Sequence, residues 1–205
     1  MTNMSNDTDT NGVSDEAPTR SLFGAVFGAT FETLPESWQR LHLVTDHHVY
    51  RGGVEVSRGE GLVAGLLCWM MGLPKSGTAE MKLVIKKLPD ETGHSERWER
   101  HFGASEFSTV LTLPKVNRSS PLSDGYSLHE RFGPIRFIVG LEIDGARVKW
   151  RLLGWRFLSV PLPAFLVPRS ETVEFVDEAG RYWFDIDLSL IGFGRLIAYR
   201  GWLVT

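Results

Sequence analysis

Hydrophobic positions change their spacing once along the chain, from a period near 3.6 in the first folded segment to a period of 2 after it. Ser21 to Leu34 places Phe23, Phe27, Phe31 and Leu34 at i, i+4, i+8 and i+11, which is one helical face and predicts a short amphipathic helix. Pro35 suits a helix start, because it lacks the N–H that would go unpaired there, and predicts a second helical turn carrying Trp38 and Leu41. From Val49 to Ser57 the pattern becomes that of a half-buried strand: Tyr50, Gly52, Val54 and Val56 alternate with Arg51, Gly53, Glu55 and Ser57. An apolar run, Gly61 to Leu73, then predicts a helix over Gly61 to Met71 that stops at Gly72-Leu73-Pro74. Its thirteen residues fall short of the roughly 20 that a bilayer-spanning helix needs, so no transmembrane segment is expected.

Nine more strands follow, separated by Pro, Gly, Asp and Ser turns. They are Ala79 to Leu88, Ser95 to Phe102, Glu106 to Leu113, Tyr126 to Phe132, Ile135 to Ile143, Arg147 to Phe157, Glu171 to Val176, Tyr182 to Leu190 and Leu196 to Val204. Asp144-Gly145 and Ala179-Gly180 mark hairpins. Ten long antiparallel strands must close or pack on something, because an open sheet that wide leaves edges and a bare apolar face. The expected fold is therefore mainly β: an up-and-down barrel or a strongly curved sheet of about ten strands. N-terminal helices precede it, and a helical insert follows the first strand. Residues 21–205 read as a single domain; residues 1–20, polar, acidic and without the charged and apolar regions of a signal peptide, read as a disordered tail.

Charge narrows the partners. With 22 Lys+Arg against 25 Asp+Glu and no basic stripe interleaved with aromatics, nucleic acid is not expected. A single cysteine, Cys68, excludes an internal disulfide and a multi-thiolate metal site and suits the reducing cytoplasm. Cys68 lies beside Trp69 in the apolar helix, where burial would leave a thiol unreactive. That helix is apolar nearly all round: Leu62, Leu66, Trp69 and Leu73 form one stripe, and Val63, Leu67, Met70 and Met71 fill much of the rest. Such a helix is buried, docked on a partner or in contact with lipid. Core packing and a lid over the barrel mouth are its two readings.

Three strands carry a charge on a face otherwise apolar. Trp98, Arg100 and Phe102 share one face, Tyr126, Leu128, Glu130 and Phe132 another, and Leu196, Ala198, Arg200, Trp202 and Val204 a third. A buried charge is costly without a partner, so the expected arrangement sets Arg100 and Arg200 around Glu130 inside the barrel. It is either a structural ion pair fixing register, or a ligand anchor in which a spare guanidinium holds an acidic head group. Trp155 follows Gly154, a glycine inside a strand pattern that marks a bulge; a bulge would turn Trp155 toward a cavity. The candidate ligand-binding residues are thus Arg100, Glu130, Arg200, Trp98, Trp202 and Trp155.

No reaction is named by any motif. The six histidines lack the spacing of a metal site, and there is no nucleophile elbow, phosphate loop or dinucleotide fingerprint, so no metal or cofactor is expected.

Segments spread along the chain resemble the bacterial domain-of-unknown-function family 4166: LPESWQRLH (Leu34 to His42), GLPKSG (Gly72 to Gly77), ERWERHFG (Glu96 to Gly103), ERFGPIRF (Glu130 to Phe137), WRLLGWRF (Trp150 to Phe157), LVPR (Leu166 to Arg169), RYWFDI (Arg181 to Ile186) and YRGWL (Tyr199 to Leu203). The resemblance implies no activity. It implies a context, since such domains occur alone or attached to reductase-like domains. The strand count and the insert after the first strand are similar in arrangement to the intracellular lipid-binding branch of lipocalin-like barrels. Three functions follow as expectations: a non-enzymatic barrel binding an apolar or amphipathic, lipid-like small molecule; a small-molecule enzyme using Glu130 as acid or base in the same cavity; and an accessory module docking on a separate reductase-like protein.

Overall fold

The computed structural model describes residues 21–89, 94–114, 126–163, 165 and 167–205. The expected N-terminal tail lies outside them. The chain opens with α1 (Leu22–Phe27), a 3₁₀ turn (Gly28–Thr33) and α2 (Glu36–His42). The single helix expected over Ser21 to Leu34 is broken at Gly28, which adopts φ +55° and ends α1. Phe23, Phe27, Phe31 and Leu34 nevertheless all reach the core, because the 3₁₀ turn continues on the same side.

Then come β1 (His47–Arg58), α3 (Leu62–Met70), β2 (Gly77–Leu88), β3 (Ser95–Phe102), β4 (Ser105–Thr112), β5 (Tyr126–Phe132), β6 (Ile135–Asp144), β7 (Arg147–Phe157), the two-residue β8 (Val160–Pro161), β9 (Arg169–Val176), β10 (Tyr182–Leu190) and β11 (Gly194–Val204). Each strand from β1 to β7 pairs antiparallel with the next, β7 pairs with β9, and β9, β10 and β11 continue the order until β11 meets β1. The sheet is a closed barrel of ten antiparallel strands with no free edge, as the strand count requires. Only β8, a rim hairpin on β7, falls outside the sequence expectation, since two residues give no period to read.

Meander connectivity gives the barrel two unlike ends. One gathers the start of β1, the 144–147 turn and the 176–182 turn, and is plugged by α1 and α2. Phe23 fills the centre of that plug, 5.7 Å from Trp38, 6.0 Å from Trp98 and 5.8 Å from Trp150 between ring centroids. Two buried carboxylates seat it. Glu96 accepts from the Leu22 N–H (3.3 Å) at the start of α1 and from Trp98 Nε1 (3.0 Å). Glu174 accepts from Trp38 Nε1 (2.9 Å) and from His42 Nε2 (3.1 Å), both on α2. Buried donors and acceptors are thereby satisfied across the plug and the barrel wall, which fixes how the helices sit.

Burial pushes the Glu96 carboxyl up to about 7, against the hydrogen bonds from Trp98 and Leu22 that oppose the rise. Folded protein therefore holds this proton at pH values where the unfolded chain, near 4.5, has lost it. Stability from this group rises as pH falls from about 7 toward 4.5 and is lowest above 7. In Glu96→Gln that dependence is expected to vanish. The wild type should gain on the order of 2 kcal/mol relative to the variant between pH 8 and pH 5, measured by urea denaturation at both pH values. Parallel pH profiles for the two proteins would show that Glu96 is solvated.

Candidate functional site

The opposite end is open. It collects α3, the 132–135 turn, the 157–168 excursion and the 190–194 turn, and leads into a cavity of about 360 Å³. The walls are mostly apolar: Phe107, Phe132, Phe137, Leu152, Ile186 and Leu188 point inward at alternate positions of their strands. α3 closes one side. Its Ala64 and Cys68 are buried and its Leu67 and Met71 line the cavity, while Gly72 at φ +64° and the Leu73 N–H to Cys68 C=O bond (2.9 Å) end the helix as the Gly-Leu-Pro sequence predicts. Arg58, at the end of β1, donates to the Leu73 and Pro74 carbonyls and ties that helix end to the rim. Burial raises the Cys68 thiol above its usual range, and its Sγ lies 3.4 Å from the Leu196 carbonyl oxygen, which suits a packing role.

Trp155 lines the cavity as the bulge reading requires. The β6–β7 register slips between Ile138↔Gly154 and Val139↔Leu152, so Leu153 is left over and the following residues change face. Trp155 then stacks at 3° on Phe137, with centroids 6.3 Å apart.

The polar end of the cavity is built by Arg100 and Glu130. Arg100 Nη1 donates to Thr109 Oγ1 at 2.9 Å, and Nη2 stands 3.9 Å from Glu130 Oε1. Its guanidinium lies between the Trp98 ring (5.2 Å) and the Phe107 ring (5.5 Å), which holds the fork in place and leaves N–H donors over for the cavity. The side chains are 12% and 20% exposed, values set by the cavity rather than by the outer surface. Trp98 itself is buried, bonded to Glu96 and packed into the plug, so it backs Arg100 without lining the cavity. Tyr199 and Glu174 complete this end. Burial keeps the Tyr199 hydroxyl protonated well into the alkaline range; Arg100 opposes that effect, and Glu130 and Glu174 add to it.

Arg200 and Trp202 are not there. On β11 the inward face is Ile197, Tyr199, Gly201 and Leu203, and Arg200 and Trp202 lie outside the barrel. Arg200 Nε is 3.8 Å from Asp185 Oδ2, and its guanidinium sits 5.4 Å over the Trp183 ring; Trp202 covers Gly53. The expected two cations around one carboxylate is thus corrected to one cation with Glu130 beside it and Glu174 deeper. The strand is apolar on both faces, and a tyrosine and a glycine inside lost to a tryptophan outside when faces were chosen by hydrophobicity.

Glu96, Glu174 and His42 are the polar residues that sequence reasoning missed. Each had a signal. Glu96 has the parity of Trp98 and Arg100 on β3, Glu174 stands between Thr172 and Val176, and His42 is four residues after Trp38 on the same helical face. Among the described residues no group of His, Cys, Asp and Glu converges as metal ligands would, and no helix is long and apolar enough to cross a membrane.

No curated protein and no solved structure matches the chain. A family model does match, over residues 34–203, from the plug through the last strand, and its description is Domain of unknown function (DUF4166). The chain belongs to the DUF4166 family.

Proposed function

We propose that this barrel is a non-enzymatic binding domain for an amphipathic small molecule, whose apolar part fills the cavity and whose polar head meets Arg100 and Glu130. The observation that carries the reading is the combination of an open, ligand-sized, mostly apolar cavity with a single polar end. Arg100 offers spare donors and Glu130 an acceptor 3.9 Å away, so a head group that both accepts and donates, such as a hydroxyl or amide, satisfies the two together. An anionic head meets Glu130 and Glu174 as well as Arg100 and is disfavoured by like charge.

A fluorescent apolar probe displaced by a long-chain alcohol and by the carboxylate of equal length tests this. The alcohol should bind at least about tenfold more tightly, a difference of about 1.4 kcal/mol. Equal affinities, or tighter binding of the carboxylate, would sink the head-group assignment.

One observation also favours an enzyme: Glu130 faces the cavity and is held by Arg100 only at 3.9 Å, leaving its second oxygen for a substrate. That reading requires chemical conversion of a bound molecule. Recovery of every bound molecule unchanged would count against it.

A further inference from the structure

α3 buries one face and bares the other. Leu62, Leu66 and Trp69, at i, i+4 and i+7, are 94%, 62% and 76% exposed on the side away from the cavity. The other rim turns present the same kind of surface: Phe157, Leu158 and Val160 on the β7–β8 hairpin, Phe165 beyond it, and Ile191 and Phe193 between β10 and β11. Exposed apolar residues concentrated at one end of a barrel mark a contact surface.

Two independent observations say what it contacts. Behind these tips, Arg131, Arg136 and Arg156 occupy facing positions on β5, β6 and β7, all exposed, and among the described residues none has an ion-pair partner. Burial together with the Arg136 and Arg156 charges holds the neighbouring His129 below its usual range, as a local positive field would. Arg169 is also exposed there, whereas Asp187 is occupied by Arg195 and Glu106 lies 3.3 Å from His101; Glu60 stands beside α3. The second observation is backbone strain. The two-residue β7–β8 turn places Leu158 at φ +48° and Ser159 at φ +74°, a geometry that favours Asn-Gly, yet Leu158 holds an apolar side chain in solvent there.

We propose that the mouth of the barrel docks on an anionic lipid bilayer: the α3 stripe and the rim turns enter the headgroup boundary while Arg131, Arg136 and Arg156 meet lipid phosphates. Apolar residues rimmed by cations match the chemistry of an anionic membrane surface, with the apolar part entering the acyl boundary and the cations held near the phosphates. The cavity would then open onto the bilayer, which supplies amphipathic molecules; that last link rests on the proposed binding function, while the docking surface stands without it.

Flotation of the full chain with vesicles of phosphatidylcholine, with and without phosphatidylglycerol, tests the proposal. Binding is expected to the anionic vesicles and to fall with added salt. Arg131→Ala/Arg136→Ala/Arg156→Ala should lower affinity about a hundredfold, and Leu66→Glu/Trp69→Glu should abolish flotation, both with unchanged circular dichroism. Leu158→Asn/Ser159→Gly should raise the melting temperature while weakening flotation, which a purely structural turn would not do. Absent flotation, flotation indifferent to these changes, or a soluble dimer that the α3 substitutions dissociate would each overturn it. Leu188→Trp, which fills the cavity, separates the two readings. If it still floats but holds no probe, both stand; if the wild type floats yet never takes up a probe, the binding function alone fails; if it binds probe but never floats, the docking alone fails.

Discussion

Gly52→Ala is expected to cost about 3 kcal/mol or more of folding stability, at the upper end for a single added methyl. Gly52 lies on the inward face of β1 at the seam where the first and last strands close the barrel, opposite Leu203 of β11. A Cβ there would run into the Trp202 carbonyl oxygen, which is backbone and cannot swing away. Gly201, across the same seam, is equally tight: its Cβ would meet the Gly53 carbonyl and the Phe184 ring. Strand backbones approach this closely only where the sheet coils sharply, and glycine is the residue that permits it. Gly53→Ala is the internal control, since its Cβ would meet only the Trp202 side chain, at 3.3 Å, and should cost less than about 1 kcal/mol. Guanidinium denaturation of the three proteins distinguishes them. Equal midpoints for Gly52→Ala and Gly53→Ala would show a looser seam.

Arg100→Leu carries the second large effect. It leaves Glu130 facing an apolar cavity without its cation and removes the donor to Thr109. Breaking a fully buried pair by removing one partner costs about 3–5 kcal/mol; the cavity admits solvent to this pair, so about 2–3 kcal/mol is expected. The double variant Arg100→Leu/Glu130→Leu should recover most of that loss, because two apolar side chains of similar reach replace both charges and extend the apolar wall. Its ligand preference should move with it: discrimination between an alcohol and a hydrocarbon of the same length should disappear. A double variant as unstable as the single one would place the energy of Arg100 in its packing between Trp98 and Phe107 rather than in its charge.

Period-2 reasoning reached far in this chain because barrel strands carry one buried and one wetted face. Tyr50, Val54 and Val56 of β1, Arg100 and Phe102 of β3, and Leu128 and Glu130 of β5 lie on the faces their alternation assigned. Closure was legible too, since ten strands in meander order leave no other way to cover both edges. The reading failed where both faces are hydrophobic. On β11 the outer Ala198, Trp202 and Val204 outweighed the inner Ile197, Tyr199 and Leu203, and Arg200 was carried inside with them. Trp155 shows the converse: strict alternation would have turned it outward, and a glycine next to it gave the bulge away.

Side-chain chemistry across the plug was harder to see. Glu96 and Glu174 are drawn into the core by donors from α1 and α2, more than seventy positions away in sequence, and no local pattern encodes a partner at that distance. α3 was ambiguous for a physical reason. A helix apolar on all sides reads as fully buried, whereas here one face packs on the barrel and the other remains in solvent, the arrangement expected of a surface that meets something else.

The cavity and its polar end make the central claim, and native mass spectrometry of protein purified without detergent addresses it most directly. The wild type should carry an amphipathic molecule at one per chain, and Leu188→Trp, which fills the same space, should carry none while remaining folded. Wild type released with no bound species and unable to take up a long-chain alcohol, or a Leu188→Trp protein retaining the same molecule, would contradict it.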